Sequence, residues 1–321
     1  KNKRAKSEPP GNKKDKEVQK AGGKLQSQAA SFLMRLFYAA RYARFDLLKA
    51  INALSSFVAF WDDMCDKRLY KLMSHVKSTL HYRQFGWIGD DEAHLAPHTY
   101  ADADFAGCPR TLRSTSGIQI NMEGPKSCFP LAARSVRQTC VSFSTPEAEI
   151  VSLNLAYRTL SLPALEIWDV VLPAGYKSVF HEDNSAAIQV IKTGKNPTMR
   201  HIGRTHGINI QFLHEFLGNP KPNHNIHVKY TDSEFMVADI HTKAFTSKDK
   251  WEHATMLCNV CDRTKFVDRV QYHKWYFGKE KDNLHNMILC ELTARACKAA
   301  DKGDLNLLDI CNQEIRTRTR T

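Results

Sequence analysis

The spacing of apolar residues changes near residue 86, and this change constrains the fold more than any other feature of the sequence. Between about residues 27 and 82, apolar side chains recur at helical intervals, and interruptions near 44–46 and 62–66 divide the stretch into three predicted helices. After residue 86, short strand-like segments separated by Gly, Pro and polar turns give way to strands that alternate with helices. This order predicts an α/β fold in which helices cover a mixed sheet and a helical segment precedes it.

The composition is that of a chain with enough apolar residues to form a buried core and enough positive charge to bind a polyanion. Of the 321 residues, 42% are hydrophobic and 10% aromatic, which excludes an intrinsically disordered protein. The longest apolar runs fall short of the roughly 18 residues that a membrane span needs, so no membrane partner is expected. The formal net charge of +12 favours a polyanionic partner. Much of that charge lies at residues 1–24, and charge alone identifies no function.

The same properties predict four segments. Residues 1–24 form a basic disordered tail, 25–85 a helical segment, 86–250 the α/β domain, and 251–321 a helical C-terminal extension of unknown role. The chain begins with Lys1 and shows no apolar leader, which is typical of a fragment of a longer product.

The chain has nine cysteines and no secretory signal, a combination that indicates reduced thiols in an intracellular compartment. Cys258 and Cys261 form a single C-x-x-C. A zinc site usually has a second pair at regular spacing, and none is evident, so two partly buried thiols are favoured over a metal site.

Four acids stand at positions where strands end or helices begin. Asp102 lies in the first strand, Glu149 in the first long helix, Asp183 at the end of a later strand, and Asp239 early in the last helix. Sites in open sheets form outside the strand ends, and hard divalent cations bind carboxylate oxygens. Such a set suits a two-metal phosphodiester hydrolase. Since the chain holds 34 acids, spacing alone supports this reading only weakly.

Five ordered motifs carry a resemblance to a known family. "YADADFAG", "RSTSG", "STPEAEI", "EDNSAAI" and "VADIHTKAF" occur in this order between about residues 95 and 250. They resemble the ribonuclease H domain of Pol polyproteins from Ty1/copia-type LTR retrotransposons, typically written Y-S-D-A-D-W-A-G, R-S-T-S-G, S-T-x-E-A-E-Y, D-N-Q-S-A-I and A-D-x-x-T-K. Residues 25–85 resemble, less distinctively, the reverse transcriptase connection segment of those proteins.

The resemblance implies a ribonuclease H-like fold, with a five-stranded mixed sheet flanked by helices, and cleavage of the RNA strand of RNA–DNA hybrids. It also implies two Mg²⁺ ions, with Mn²⁺ as an alternative. The catalytic and metal-binding set that it implies is Asp102, Glu149, Asp183 and Asp239. The polymerase Y-x-D-D motif is absent, so no polymerase activity is expected from this fragment; "WDDM" at 61–64 lacks flanking strands.

Neighbouring acids leave part of the site assignment open. Asp104 is an alternative to Asp102, which is favoured because the Tyr-x-Asp order matches the ribonuclease H strand. Glu147 is an alternative to Glu149, which lies at the edge of the core-facing stripe. Glu182 adjoins Asp183, and strand alternation is expected to turn it away.

The sequence also departs from the family pattern. Cys108 stands where the family commonly has an acid, and "YTDSEFMV" lacks the mobile histidine of some ribonucleases H, so the proton-transfer group is unassigned. His241 is expected to face elsewhere. For His201 and His206, helix capping or phosphate contact is favoured over catalysis.

The partners expected from the resemblance are an RNA–DNA hybrid and the remainder of the Pol polyprotein, in a cytoplasmic virus-like particle or the nucleus. Hybrid duplexes are recognised mainly by geometry and backbone contacts. The phosphate contacts predicted on this basis are Arg110, Arg113, Ser114, Thr115, Arg200 and Arg204. The competing hypotheses are an inactive nucleic-acid-binding connection module, an integrase-type nuclease and a domesticated relic.

Overall fold

The computed structural model describes residues 22–196, 198–219 and 226–279, together with positions 310, 313 and 314. Most of the predicted basic tail, and the C-terminal extension beyond 279 apart from those three positions, lie outside the described residues.

Three helices precede the sheet, as predicted. They are α1 (Gln26–Ala43), α2 (Leu48–Ser55) and α3 (Asp63–Ser78), with 3-10 turns at Phe45–Leu47 and Val58–Phe60 between them. The carboxylate of Asp62 accepts a hydrogen bond from the Cys65 backbone N–H at 2.8 Å. This cap satisfies a donor that the first turn of α3 would otherwise leave without a partner.

Five strands form one mixed sheet, and two short strands form a separate pair. In chain order the strands are β1 (Arg83–Gln84), β2 (Ala96–Asp104), β3 (Thr115–Gly124), β4 (Ser127–Arg137), β5 (Ser178–Glu182), β6 (Ile226–Tyr230) and β7 (Val260–Cys261). The order in the large sheet is β4-β3-β2-β5-β6. β2 pairs antiparallel with β3 and parallel with β5, β3 pairs antiparallel with β4, and β5 pairs parallel with β6. β1 pairs with β7. This confirms the predicted fold class.

Helices connect and cover the strands. They are α4 (Thr145–Ala156), continued by a π turn at Tyr157–Ser161 into α5 (Leu162–Val171), α6 (Ser185–Thr193), α7 (Ile202–Thr205), α8 (Ile210–Leu213), α9 (Lys248–Leu257) and α10 (266–279). Ser144 caps α4 by accepting from the Glu147 N–H, and Asn184 caps α6 by accepting from the Ala187 N–H. The sequence predicts a cap at Ser144 or Thr145 and at Asn184 or Ser185, and in each case the first candidate is the cap. Apolar residues of α4, β2 and β5 form the core between these helices and the sheet.

The segments predicted on either side of the α/β domain share a core with it. Leu33, Ile51 and Leu69 of the three N-terminal helices cluster with Ala254 of α9 and Val260 of β7. β4 and the turn before α9 add Ala133 and Ile240 to the same cluster. Over the described residues, the helices before the sheet and α9–β7 after it therefore pack as parts of one core. In the same part of the chain, no helix is both long enough and apolar enough to cross a membrane.

The region before Asp239 differs from its prediction. Thr231 and Glu234 have the spacing of a capping box and predicted a helix, but the chain forms two 3-10 turns, Ser233–Phe235 and Val237–His241. No side-chain cap bond forms at the first turn. The Thr231 hydroxyl is instead hydrogen-bonded to Nδ1 of the His181 ring, at 2.7 Å.

Candidate metal centre

Two parallel strands bring Asp102 and Asp183 together. Tyr100 of β2 pairs with His181 of β5, so the positions two residues further along the two strands are also neighbours. Asp102 is buried near the end of β2, and Asp183 follows directly after β5. Both carboxylates thus stand at the C-terminal edge of adjacent parallel strands, where sites form in open sheets.

The helix α4 adds the third carboxylate. The Ser152 hydroxyl on α4 donates to the backbone carbonyl of Asp102 at 2.8 Å and holds the helix against β2. Glu149, one turn earlier, is buried beside the strand ends. One carboxylate oxygen each of Asp102, Glu149 and Asp183 lies within 4.8 Å of the others. We call these three residues the acid cluster. It is the only group of three or more metal-ligating side chains so placed in the described ranges.

Asp239 lies at the margin of the acid cluster and is held by a lysine. Lys243 places its ammonium 2.7 Å from Asp239 Oδ1 and 3.6 Å from Asp102 Oδ1. The Thr242 hydroxyl donates to Asp102 Oδ2. The structure therefore brings all four predicted carboxylates into one region, but only three of them converge directly.

The electrostatics of this region favour a bound cation. Burial, followed by the nearby charges of Glu182 and Asp102, raises the pKa of Glu149 to about 11. Burial and Asp102 raise the pKa of Asp239 to about 7, and burial also raises that of Asp102. Burial alone would lower the pKa of Lys243, but Asp102 and Asp239 raise it to about 12. Converging carboxylates repel, so protons or a cation must compensate them.

Glu182 lies outside the acid cluster but acts on it through its charge. Its side chain is fully buried, and its charge acts on the pKa of Glu149 more strongly than that of Asp102 does. Its Oε1 accepts from the Asn184 N–H at 3.0 Å, while Oε2 has no hydrogen-bond partner. Alternation along β5 leaves Glu182 outside the acid cluster, and its side chain is buried rather than exposed to solvent.

The alternative acid Asp104 has a different set of partners. Lys49 of α2 donates to Asp104 Oδ2 at 2.8 Å and to the Thr115 hydroxyl at 3.1 Å. The backbone N–H of Thr115 donates to Asp104 Oδ1. Both oxygens of Asp104 are therefore used to join β2 to β3 and to the N-terminal helices.

The alternative acid Glu147 is likewise occupied. It is fully buried and accepts from the Phe143 N–H at 3.0 Å. Its Oε1 lies 3.2 Å from Nε2 of both His201 and His206. Glu147 thus joins the start of α4 to the segment around α7, while Glu149 belongs to the acid cluster.

The predicted phosphate contacts divide by exposure. Arg110, Arg113, Arg200 and Arg204 are exposed. Ser114 is fully buried, with its hydroxyl accepting from the Ala106 N–H, and Thr115 is buried with its hydroxyl on Lys49. Burial therefore argues against phosphate contacts by Ser114 and Thr115, a correction to the sequence-based expectation.

Three residues beside the acids were missed from the sequence. Ser233 donates to Asp183 Oδ2 at 2.6 Å, and Thr242 and Lys243 bind Asp102 and Asp239 as described above. Thr242 and Lys243 stand in "VADIHTKAF", so the motif contained the signal; Ser233 lies in a turn with no pattern of its own. His241 is buried against Gln119 Oε1 at 3.0 Å, facing away from the acid cluster as expected.

The two thiols Cys258 and Cys261 are both buried. Burial raises the pKa of each, which disfavours the thiolate that a metal requires. Neither thiol belongs to a three-ligand group within the part of the chain that the structure describes.

Comparisons with known proteins return only distant structural similarity. No family model matches the sequence, and no curated protein matches it. Among solved structures, the chain is similar to the foamy viral protease-reverse transcriptase in complex with an RNA/DNA hybrid, at 17% identity and a TM-score of 0.40, over 74% of this chain and 28% of that chain. It is also similar to the native prototype foamy virus protease-reverse transcriptase, at 14% identity and a TM-score of 0.28, over 59% and 22%. The chain spans less than a third of the length of either protein.

Proposed function

We propose that this chain is a metal-dependent nuclease that cleaves the RNA strand of RNA–DNA hybrids. The observation that carries the proposal is the acid cluster: three carboxylates from two parallel strands and a helix, within 4.8 Å of one another. An arrangement of this kind destabilises the fold unless a cation compensates it, which favours a functional role over a structural one.

The donor set fits a hard divalent cation. All the ligating atoms are carboxylate oxygens, which Mg²⁺ and Mn²⁺ prefer over nitrogen or sulfur ligands. Glu149 Oε2 is a buried acceptor with no hydrogen-bond partner, so it offers a lone pair to such an ion. Asp102, Glu149 and Asp183 would hold the metal, and Asp239 would join them when released from Lys243.

The residues around the acids have separate roles in this proposal. Thr242 and Ser233 donate to Asp102 and Asp183 and fix the orientation of their carboxylates. Lys243 keeps a positive charge beside Asp239, where the phosphate of a substrate would also be attracted. Two bound Mg²⁺ ions would supply an activated water and stabilisation of the leaving 3′ oxygen.

The substrate and the source of the chain rest on the five ordered sequence motifs. They support a Ty1/copia-type Pol fragment whose partners are an RNA–DNA hybrid and the rest of that polyprotein, in a cytoplasmic virus-like particle or the nucleus. The exposed arginines Arg113, Arg200 and Arg204 would contact phosphates of the hybrid. The sheet order is compatible with the ribonuclease H-like fold that the motifs imply.

The test is a cleavage assay on the full-length chain, because the N-terminal helices and α9 share a core with the sheet. A labelled RNA–DNA hybrid should be cut in its RNA strand with Mg²⁺ and remain intact with EDTA. Asp183→Asn should abolish the cut, while Asp104→Asn is the matched control in a neighbouring acid. Metal-independent binding of the hybrid without any cut would support the inactive binding module instead.

A further inference from the structure

An alternating stack of arginines and phenylalanines lies where the N-terminal helices meet the loop that leaves β2. The guanidinium of Arg110, in that loop, lies 5.1 Å from the ring centroid of Phe57 and 5.0 Å from that of Phe60. Arg68 of α3 lies 5.6 Å from the Phe57 ring. We call Arg68, Phe57, Arg110 and Phe60 the aromatic–arginine ladder.

Three of the four ladder residues are exposed, and Phe57 is partly buried against the core of the N-terminal helices. Phe60 is 66% exposed, so most of its ring faces solvent, and Arg110 and Arg68 are also exposed. Arg110 donates to the Ser56 carbonyl at 3.4 Å, which ties the loop to the end of α2. The loop is itself folded, since the Leu112 N–H donates to the Cys108 carbonyl at 2.8 Å. An ordered surface presents its rings at a small cost in conformational entropy.

The charge of the ladder favours a nucleic-acid occupant. No carboxylate among the described residues lies within ion-pair distance of Arg110, so its charge remains available to an anion. The loop that carries Arg110 follows the strand that carries Asp102 of the acid cluster. That loop begins directly after Asp104, and Lys49 on the adjoining helix α2 binds that residue. A nucleic acid held at the acid cluster would leave a strand near this loop.

The exposed ring restricts which form of nucleic acid fits. Bases within a duplex are stacked on one another and hide their faces, whereas an unpaired base stacks on an exposed aromatic ring or guanidinium. We propose that the aromatic–arginine ladder is a stacking platform for an unpaired stretch of the nucleic acid that extends beyond the hybrid. This inference rests on the proposed function for the identity of the substrate.

The test measures affinity separately from cleavage. Fluorescence anisotropy in EDTA compares a blunt RNA–DNA hybrid with the same hybrid carrying a tail of about eight unpaired nucleotides, within the site size of single-strand binding folds. The full chain should bind the tailed hybrid about tenfold more tightly, the effect typical of one or two stacked bases. A DNA tail and an RNA tail are both tested. Tighter binding of either tailed hybrid than of the blunt hybrid supports the platform, because stacking depends on the face of the base, which DNA and RNA share.

Substitutions assign the preference to the ladder. Phe60→Ala should bring the ratio of tailed to blunt affinity close to one, and Phe60→Trp should retain it. Arg110→Gln should weaken binding of the tailed hybrid and reduce its salt dependence. The matched controls, the exposed Ile167→Ala and Arg158→Gln outside the ladder, should keep the wild-type ratio. Thermal melting checks that each variant folds.

The outcomes separate the two proposals. Equal affinity of the wild-type chain for tailed and blunt hybrids, or a tail preference that survives in Phe60→Ala, overturns the platform. A tail preference in a chain that never cuts a hybrid with Mg²⁺ overturns the nuclease and leaves the platform standing.

Discussion

Two pairs of acids near the candidate metal centre are each separated by one residue, and in each pair the two members have opposite surroundings. At the end of β2, Asp104 is paired with Lys49, whereas Asp102 converges with other carboxylates. At the start of α4, Glu147 lies beside two histidines, whereas Glu149 faces the acid cluster.

This difference separates structural acids from candidate functional ones. A buried carboxylate with a basic partner stabilises the fold around it or costs little, while several buried carboxylates with too few partners destabilise it. Lys243 is the one cation within 4.0 Å of the acid cluster or Asp239 in the described residues. The unbalanced arrangement is what a metal would compensate.

The largest expected effect is on catalysis. Asp183→Asn or Glu149→Gln should reduce Mg²⁺-dependent cleavage of a hybrid by at least about 100-fold, because each removes a ligand worth several kcal/mol to a charged transition state. Asp104→Asn should retain most of the rate, since its partners are structural. Equal losses in Asp104→Asn and Asp183→Asn would contradict the division between the two acids of β2.

Substituting the two acids of α4 should change the stability of the metal-free protein in opposite directions. Glu147→Gln leaves His201 and His206 without their carboxylate and should reduce the free energy of unfolding by about 1–3 kcal/mol. Glu149→Gln removes a carboxyl whose pKa is raised to about 11 and should stabilise the metal-free protein. Urea unfolding in EDTA measures both variants, and a more stable Glu147→Gln protein would break the comparison.

The pH dependence of the metal-free protein sharpens the same point. Glu149 and Asp239 have folded-state pKa values of about 11 and about 7, above their ordinary values, so the folded state binds more protons than the unfolded state. The free energy of unfolding should therefore fall as pH rises from 5 to 7, by on the order of 2 kcal/mol per pH unit, because each of the two groups contributes roughly 1 kcal/mol. Above pH 7 the contribution of Glu149 continues, together with that of Glu182, whose pKa burial raises well above its ordinary value. Melting in EDTA at several pH values tests this, and Glu149→Gln should flatten the dependence.

The smallest effect concerns Lys243. Its ammonium binds Asp239 and lies near Asp102, so a metal must compete with it for these carboxylates. Lys243→Met should lower the Mg²⁺ concentration for half-maximal binding several-fold, the scale of a partly exposed ion pair worth about 1 kcal/mol. Isothermal titration measures the change, with Lys248→Met, an exposed lysine on α9, as the control. An unchanged or higher midpoint would mean that Lys243 does not compete.

Local patterns predicted the elements of this fold well. Periodicity placed the three N-terminal helices, and short-range capping placed the starts of α4 and α6, because a cap depends on residues only three or four positions apart. The same rule failed after Thr231, where the His181 ring from a distant strand takes the hydroxyl. Tertiary contacts of this kind have no local signal.

The site was predictable only in part for the same reason. The motifs named Asp102, Glu149, Asp183 and Asp239, and the structure brings them to one region. The partners that distinguish Asp104 from Asp102 come from α2, more than fifty residues earlier in the chain. Spacing within the motif could not reveal Lys49. Predicting the burial of Glu182 would have required knowing which helix covers β5.

The pairing of β1 with β7 has a consequence for how the protein is made. Arg83 pairs with Cys261, so the N-terminal helices and the end of α9 complete their shared core only when both distant segments are present. Contacts that link such distant parts of a sequence are formed late, because closing a long loop costs entropy before any contact rewards it. During synthesis, the nascent chain would hold β1 unpaired until residue 261 has left the ribosome.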